Sequence, residues 1–251
     1  MKKFYLLIAL IILSCSKPND KPNLLFILVD DLGWTDVSYN GSDFYETYNI
    51  DRLSLTSMLF FNAYAASSVC SPTRASIMTG KHPARVNITD WIPGLEEQNN
   101  YNTSKNLLVG PKDRDELPLD EITIAEVLKM NGYKTFYSGK WHLGSEGYYP
   151  EDQGFDINVG GFEKGSPMGG YYSPYKNPKL TDGPEGEYLT DRLTDETFDF
   201  IESIDISKPF AAFLSFYNVH TPIQENKEFY DYYLEKLNGF EDKEIITKKE
   251  G

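Results

Sequence analysis

Four polar clusters in this chain combine residue types that do chemistry together. Cys70-Ser71-Pro72-Thr73-Arg74 sets a thiol two residues before a proline and four before an arginine. Pro72 suits the first turn of a helix and Gly80 suits its end. Cys70 then lies at a helix N-terminus, where free N–H groups and the helix dipole favour an anion. Arg74, one turn on, can return its guanidinium to the same mouth. The other clusters are Asp30-Asp31, Lys140-Trp141-His142 and His220-Thr221-Pro222. The chain has 3 histidines, and two of them fall in these clusters. The third, His82 in Lys81-His82-Pro83, reads as a structural residue.

The elements that carry these clusters explain why they belong together. Leu24 to Val29 is an unbroken apolar run of strand length, with both faces reading as buried, as in a central strand. Asp30-Asp31 follows at its carboxyl end. Thr123 to Met130 reads as a helix with Ile124, Val127 and Leu128 on one face and Gly132 beyond its end. Tyr133 to Ser138 reads as the next strand, and Gly139 to Gly144 as its loop. Asp191 to Ile204 reads as a helix capped by Asp191, with Leu193, Thr197, Phe198, Ile201 and Ile204 inward. Phe210 to Tyr217 is a strand running into His220. Strands alternating with helices predict an α/β fold, a mainly parallel sheet flanked by helices. Ligands of such sheets bind beyond the carboxyl ends of the strands. Asp30/Asp31, Lys140/His142 and His220 all fall there, so one site accounts for three clusters. Residues 95–118 and 144–188, rich in Gly, Pro, Asn and Tyr, read as long surface excursions. The tyrosines Tyr148, Tyr149, Tyr171, Tyr172 and Tyr175 read equally as ordinary loop packing or as rings on which a ligand could stack.

Composition narrows the function classes. Lys and Arg number 24 against 38 Asp and Glu in 251 residues, a net charge of −14. That argues against a general nucleic-acid binder, which needs a basic face. Hydrophobic residues at 40% are enough to build a core. With 2 cysteines, a disulfide-stapled fold and a Cys-ligated zinc site are excluded. Residues 1–14 read as a signal peptide: a basic start at Lys2-Lys3, then an apolar run from Phe4 to Leu13. That run is short of the roughly 20 residues a membrane-spanning helix needs. Its end, Ile12-Leu13-Ser14-Cys15, resembles the lipobox of bacterial lipoproteins, which implies lipidation of Cys15, a membrane anchor and an exported, cell-envelope protein. Residues 15–22 read as a tether, and residues 23–251 as one catalytic domain.

Cys-Ser-Pro-Thr-Arg resembles the C-x-P-x-R signature of type I sulfatases. Other motifs match in the family's order: Asn49-Ile50-Asp51-Arg52-Leu53, Thr79-Gly80-Lys81-His82-Pro83, Gly139 to Gly144 and His220-Thr221-Pro222. The resemblance runs from about Lys21 to about Asn226 and implies the alkaline-phosphatase-like sulfatase fold. It implies that a maturation enzyme oxidises Cys70 to formylglycine, whose hydrate attacks sulfur, expels the alcohol and then regenerates the aldehyde by eliminating sulfate. It assigns Asp30 and Asp31, with the position-70 group, to a divalent cation, Ca²⁺, which takes oxygen ligands. It gives Arg74 the gem-diol and the metal-side oxygens, Lys140 the sulfate oxygens, and His142 the formylglycine hydroxyl. Lys140 and His142 share a face if their segment is extended. His220 contacts sulfate and protonates the leaving oxygen. The implied substrate is an aryl sulfate or sulfated saccharide.

One departure matters. The family completes its metal site with a later acidic-amide pair and an additional lysine, and this chain has no Asp-Asn dipeptide. The sequence is therefore read as an N-terminal part of such an enzyme, with the C-terminal part missing and its activity open. Two alternatives remain beside sulfate-ester hydrolysis. One is a phosphoester or phosphonate monoester hydrolase of the same superfamily. The other is an inactive, glycan-binding remnant.

Overall fold

A computed structural model describes residues 21–92, 113–205 and 207–239. The signal peptide, Cys15, most of the tether and the charged segment from Glu241 to Gly251 lie outside the described residues.

The elements follow in chain order. Strand β1 (Leu24–Leu28) leads to helices α1 (Tyr48–Ser54), α2 (Cys70–Thr79) and the single turn α3 (Pro83–Val86). Helix α4 (Ile124–Met130) precedes strands β2 (Lys134–Gly139) and β3 (Ile157–Val159). Helix α5 (Leu189–Ser203), strand β4 (Phe210–Ser215) and helix α6 (Tyr230–Asn238) complete the order. The four strands are all parallel and run β1-β4-β2-β3 across the sheet. The predicted parallel α/β architecture is present.

Strand periodicity sorts the core into two layers. On β4, Ala211 and Phe213 face one side with Tyr137 of β2, where they pack with Ala75 and Met78 of α2, Ala125 of α4, Trp141 and Phe155. Ala212 of β4 and Phe136 of β2 face the other side, against Phe200 of α5, while Leu214 meets Leu189 and Leu193 of the same helix. The Phe136 and Phe200 rings stack at 4.5 Å. Both faces are covered by helices, which is why β4 reads as an apolar run without alternation and is buried throughout.

Several expectations are corrected in detail. β1 is an edge strand, bordered by β4 alone among the described residues, and its Leu25 and Ile27 are 51% and 53% exposed. An apolar run reads the same in a central and an edge strand, because strand order is set by pairing and not by the run itself. Helix α4 buries Ala125, while Ile124 and Val127 are exposed. Its start is fixed by a capping box in which Thr123 accepts from the Glu126 N–H and Glu126 accepts from the Thr123 N–H. Helix α5 begins two residues earlier than predicted, and Asp191 lies in its first turn without capping it. Phe200, not Phe198, is the inward aromatic, and Phe198 is exposed.

The segment 144–188 is no loose excursion. It contains β3 and a short 3-10 turn at Pro150–Gln153, and it contributes Phe162, Tyr171, Tyr175 and Leu180 to a core cluster. Tyr171 and Tyr175 are 2% and 1% exposed, so they are not free to stack on a sugar. Of the other excursion, residues 93–112 lie outside the described residues. Helix α6 was not anticipated.

Candidate active site

The strand tips of β1, β2 and β4 converge because backbone bonds lace them together. The Phe216 N–H reaches the Leu28 carbonyl at 2.9 Å, and the Asp30 N–H reaches the Asn218 carbonyl at 2.7 Å. The Lys140 N–H reaches the Ser215 carbonyl at 2.8 Å. Gly139 makes this crossing possible. Its φ is +99°, and a Cβ there would lie 2.0 Å from the Ser215 carbonyl oxygen.

Helix α2 brings the thiol to these tips. Val69, in extended geometry, precedes Cys70 at the first helical position, and Gly80 closes the helix in left-handed geometry. Thr73 ties the first turn to the approaching chain: its Oγ1 accepts from the Ser67 N–H at 3.1 Å and donates to the Ser67 carbonyl at 2.9 Å. Cys70 is a free, half-buried thiol. Its Sγ lies 3.2 Å from His142 Nδ1.

Arg74 is engaged through both terminal nitrogens one turn along. Its Nη2 pairs with Asp30 Oδ2 at 3.0 Å, and its Nη1 donates to Ser215 Oγ at 2.7 Å and to the Lys140 carbonyl. The Tyr137 hydroxyl donates to that same carbonyl. Lys140 Nζ is in ion-pair contact with Asp30 Oδ2. It is wholly buried, yet it makes no hydrogen bond of good angle. Two buried cations therefore share one buried carboxylate, and the lysine keeps donors unspent. That balance favours an incoming anion.

The charges move the titrations accordingly. Burial raises the Asp30 carboxyl, but Arg74 and Lys140 outweigh it and hold the pKa below the ordinary value. Burial and the Arg74 charge lower Lys140, against the opposing pull of Asp30 and Cys70. Burial, with Lys140 beside it, lowers His142 to about 3, so its imidazole is neutral at physiological pH.

Asp30, Arg74, Lys140, His142 and Cys70 form one connected cluster. The expected route for Lys140 and His142 is corrected: the segment is not extended, since His142 has φ +59°. The ring instead reaches position 70 by a left-handed turn that the backbone N–H of His142 anchors to the Phe162 carbonyl at 3.2 Å. Asp31 also has φ +59°, and its side chain is 57% exposed, with Oδ2 3.9 Å from His220 Nε2. His220 Nδ1 is 2.8 Å from the Thr221 carbonyl oxygen. Asp31 and His220 thus form the outer rim of the same strand-tip face. His82 caps α3 by accepting from the Ala84 N–H, as its structural reading predicts.

Asp30 and Asp31 offer hard oxygens of the type a divalent cation takes. Two carboxylates are fewer than a full shell, and no group of three His, Cys, Asp or Glu side chains converges among the described residues. The donor type fits, and Asp30 Oδ2 is already shared by two cations.

Three supporting residues carried no signal strong enough to be singled out from sequence: Ser71, Ser215 and Gly165. Ser215 ends a buried strand with a polar group, which is a usable sign in retrospect. Tyr171 donates from its hydroxyl toward the Tyr217 and His220 carbonyls, at 2.9 and 2.8 Å, holding the His220 loop. Nothing in local spacing reveals that contact across the fold.

The family model described as Sulfatase matches residues 22–244. The chain belongs to the sulfatase family. Human arylsulfatase G is 36% identical over 193 residues, covering 74% of this chain and 33% of its own. Human N-acetylgalactosamine-6-sulfatase is 31% identical over 230 residues, covering 83% and 41%. Among solved structures, Ps i-CgsB superposes with TM-score 0.67 at 29% identity, covering 85% of this chain and 49% of that one. BT4656, solved with its substrate D-glucosamine-2-N,6-O-disulfate, gives TM-score 0.66 at 27% identity, covering 86% and 38%. The chain thus spans about a third to a half of the sulfatases it matches. The sulfatase likeness covers β1 to α6, every strand of the sheet included.

Proposed function

We propose that this sulfatase-family chain hydrolyses sulfate esters of sulfated carbohydrates. The observation that carries the reading is the 3.2 Å approach of Cys70 Sγ to His142 Nδ1 beside the buried Lys140 and Arg74. It joins a group that can become a nucleophile, a base and two cations in one pocket. The saccharide class is supported by the relatives, since BT4656 is solved with a sulfated glucosamine as its substrate.

In this reading a formylglycine-generating maturation enzyme converts Cys70 to formylglycine, and its hydrate is the nucleophile. His142, neutral and with Nδ1 facing position 70, takes the hydroxyl proton as sulfate is eliminated. Lys140 directs its unspent donors at the sulfate oxygens, and Arg74 holds the mouth of α2 and Asp30 in register. Both, themselves buried, stabilise the charge of the transferring group. His220, on the rim, donates a proton to the leaving oxygen. A divalent cation, Ca²⁺, held by Asp30, Asp31 and the position-70 oxygen, would polarise a sulfate oxygen when bound. A signal peptide over residues 1–14 and lipidation of Cys15 would anchor the enzyme in the cell envelope, where sulfated oligosaccharides arrive.

The test is a paired assay on the sulfate and phosphate esters of one aryl alcohol, with protein made alongside the maturation system. Sulfate turnover that vanishes in Cys70→Ala supports the reading. A strong phosphate preference reverses the choice of ester. Peptide mass spectrometry across position 70 must show loss of the sulfur in active protein.

A further inference from the structure

We infer that Ser71 is a positioning residue: it grips the Ile92 peptide, whose carbonyl fixes the tautomer of His142 and so aims the bare Nδ1 at position 70. The inference rests on the sulfatase reading for its catalytic meaning, but its geometry stands alone.

Ser71 is wholly buried on α2, and its Oγ accepts from the Ile92 N–H at 3.0 Å. On the other side of that residue, His142 Nε2 is in hydrogen-bond contact with the Ile92 carbonyl. A carbonyl oxygen can only accept, so Nε2 must carry the hydrogen. A neutral imidazole has one N–H, which leaves Nδ1 with a lone pair facing Cys70 Sγ. The other tautomer would set the Nε2 lone pair against a carbonyl oxygen in a buried site.

The contacts close on themselves. Ser71 adjoins Cys70 in the chain, Ser71 holds Ile92, Ile92 holds His142, and His142 meets Cys70. Two further contacts fix the ring's place. The backbone N–H of His142 is held by the Phe162 carbonyl, and Gly165 packs against the ring so closely that a Cβ would lie 2.3 Å from Cε1. Ring position is thus set by Phe162 and Gly165, whereas ring protonation is set by Ile92. Ser71 is the side chain in hydrogen-bond contact with the Ile92 N–H. In orienting a base through its second nitrogen, the arrangement does for His142 what a carboxylate or carbonyl does for other histidine bases.

The experiment uses the full chain made without the maturation system, so that position 70 keeps its thiol, with nitrogen-15-labelled histidine. His142 is assigned among the three histidines by its loss in His142→Gln. At neutral pH the wild type is expected to show Nδ1 unprotonated and Nε2 protonated. Ser71→Ala is expected to give the averaged pattern of mixed tautomers, and Ser71→Thr, which keeps an Oγ, to restore the wild-type pattern. A wild-type Nδ1–H form overturns the inference, as does a folded Ser71→Ala that keeps the single tautomer. If Ser71→Ala fails to fold, the wild-type tautomer and the Ser71→Thr pattern decide. In matured protein, Ser71→Ala is expected to lower kcat about 10- to 100-fold with KM within about twofold. Absence of sulfate turnover in the wild type would defeat the proposed function while leaving the nitrogen spectra to judge this inference.

Discussion

Asp30 and Arg74 meet at 3.0 Å, both buried, and their pair joins the tip of β1 to the first turns of α2. Lys140 shares the same carboxylate oxygen. Asp30 is thereby the counter-charge for two buried cations, and its removal strands both. Asp30→Ala is expected to destabilise the chain by about 3–5 kcal/mol. Urea unfolding followed by circular dichroism measures this. A loss under about 1 kcal/mol would mean that water or another anion already neutralises Lys140 and Arg74.

The buried imidazole of His142 should make stability depend on pH. Its pKa falls to about 3 in the fold from the ordinary 6.5. Between those values the unfolded chain binds a proton that the folded chain refuses, so stability rises with pH across the window. The contribution is complete above about 6.5 and is lost as pH drops toward 3. His142→Gln is expected to reduce the slope of unfolding free energy in this window by about 1.4 kcal/mol per pH unit. Parallel slopes for the two proteins would show that His142 charges freely in the fold.

Gly165 leaves no room beside the His142 ring, with a substituted Cβ 2.6 Å from Nδ1. Gly165→Ala is expected to push the ring off position 70 and to lower kcat about 100-fold, as misplacement by about an ångström does. The fold itself should survive, since Gly165 is half-buried in a loop. Steady-state kinetics on matured protein, with a circular dichroism control, decide the matter; unchanged kcat would contradict the ring's placement.

The capping box of α4 gives a control remote from the chemistry. Thr123 Oγ1 accepts from the Glu126 N–H at 3.2 Å and donates to the Gln153 carbonyl at 2.7 Å. Thr123→Ala should cost about 1–2 kcal/mol of stability, a cap and a buried hydrogen bond together. Ester turnover should be unchanged well below the unfolding temperature. A loss of turnover in step with Arg74 or His142 variants would tie α4 to the site, contrary to the contacts described.

The cluster of site residues was legible in the chain because its pattern is local. Cys70, Pro72, Arg74 and Gly80 state a helix with a thiol at its mouth, since caps, proline and i+4 spacing act within a dozen residues. Apolar runs ending at Asp30 and near Lys140 and His220 place polar groups at strand ends for the same reason. What local pattern cannot carry is partnership across the fold. It could not put β1 at the edge of the sheet that the described residues form, because strand order follows from pairing between residues almost 190 apart, such as Leu24 with Ala211. It could not distinguish stacking tyrosines from core ones, because Tyr171 and Tyr175 are buried by a helix and strand further along the chain. It could not show that His142 reaches Cys70 through a left-handed turn, nor that Ser71 and Ile92 hold the ring. Those facts depend on the close packing of segments distant in sequence, where each group's partner is whatever the fold delivers to its side.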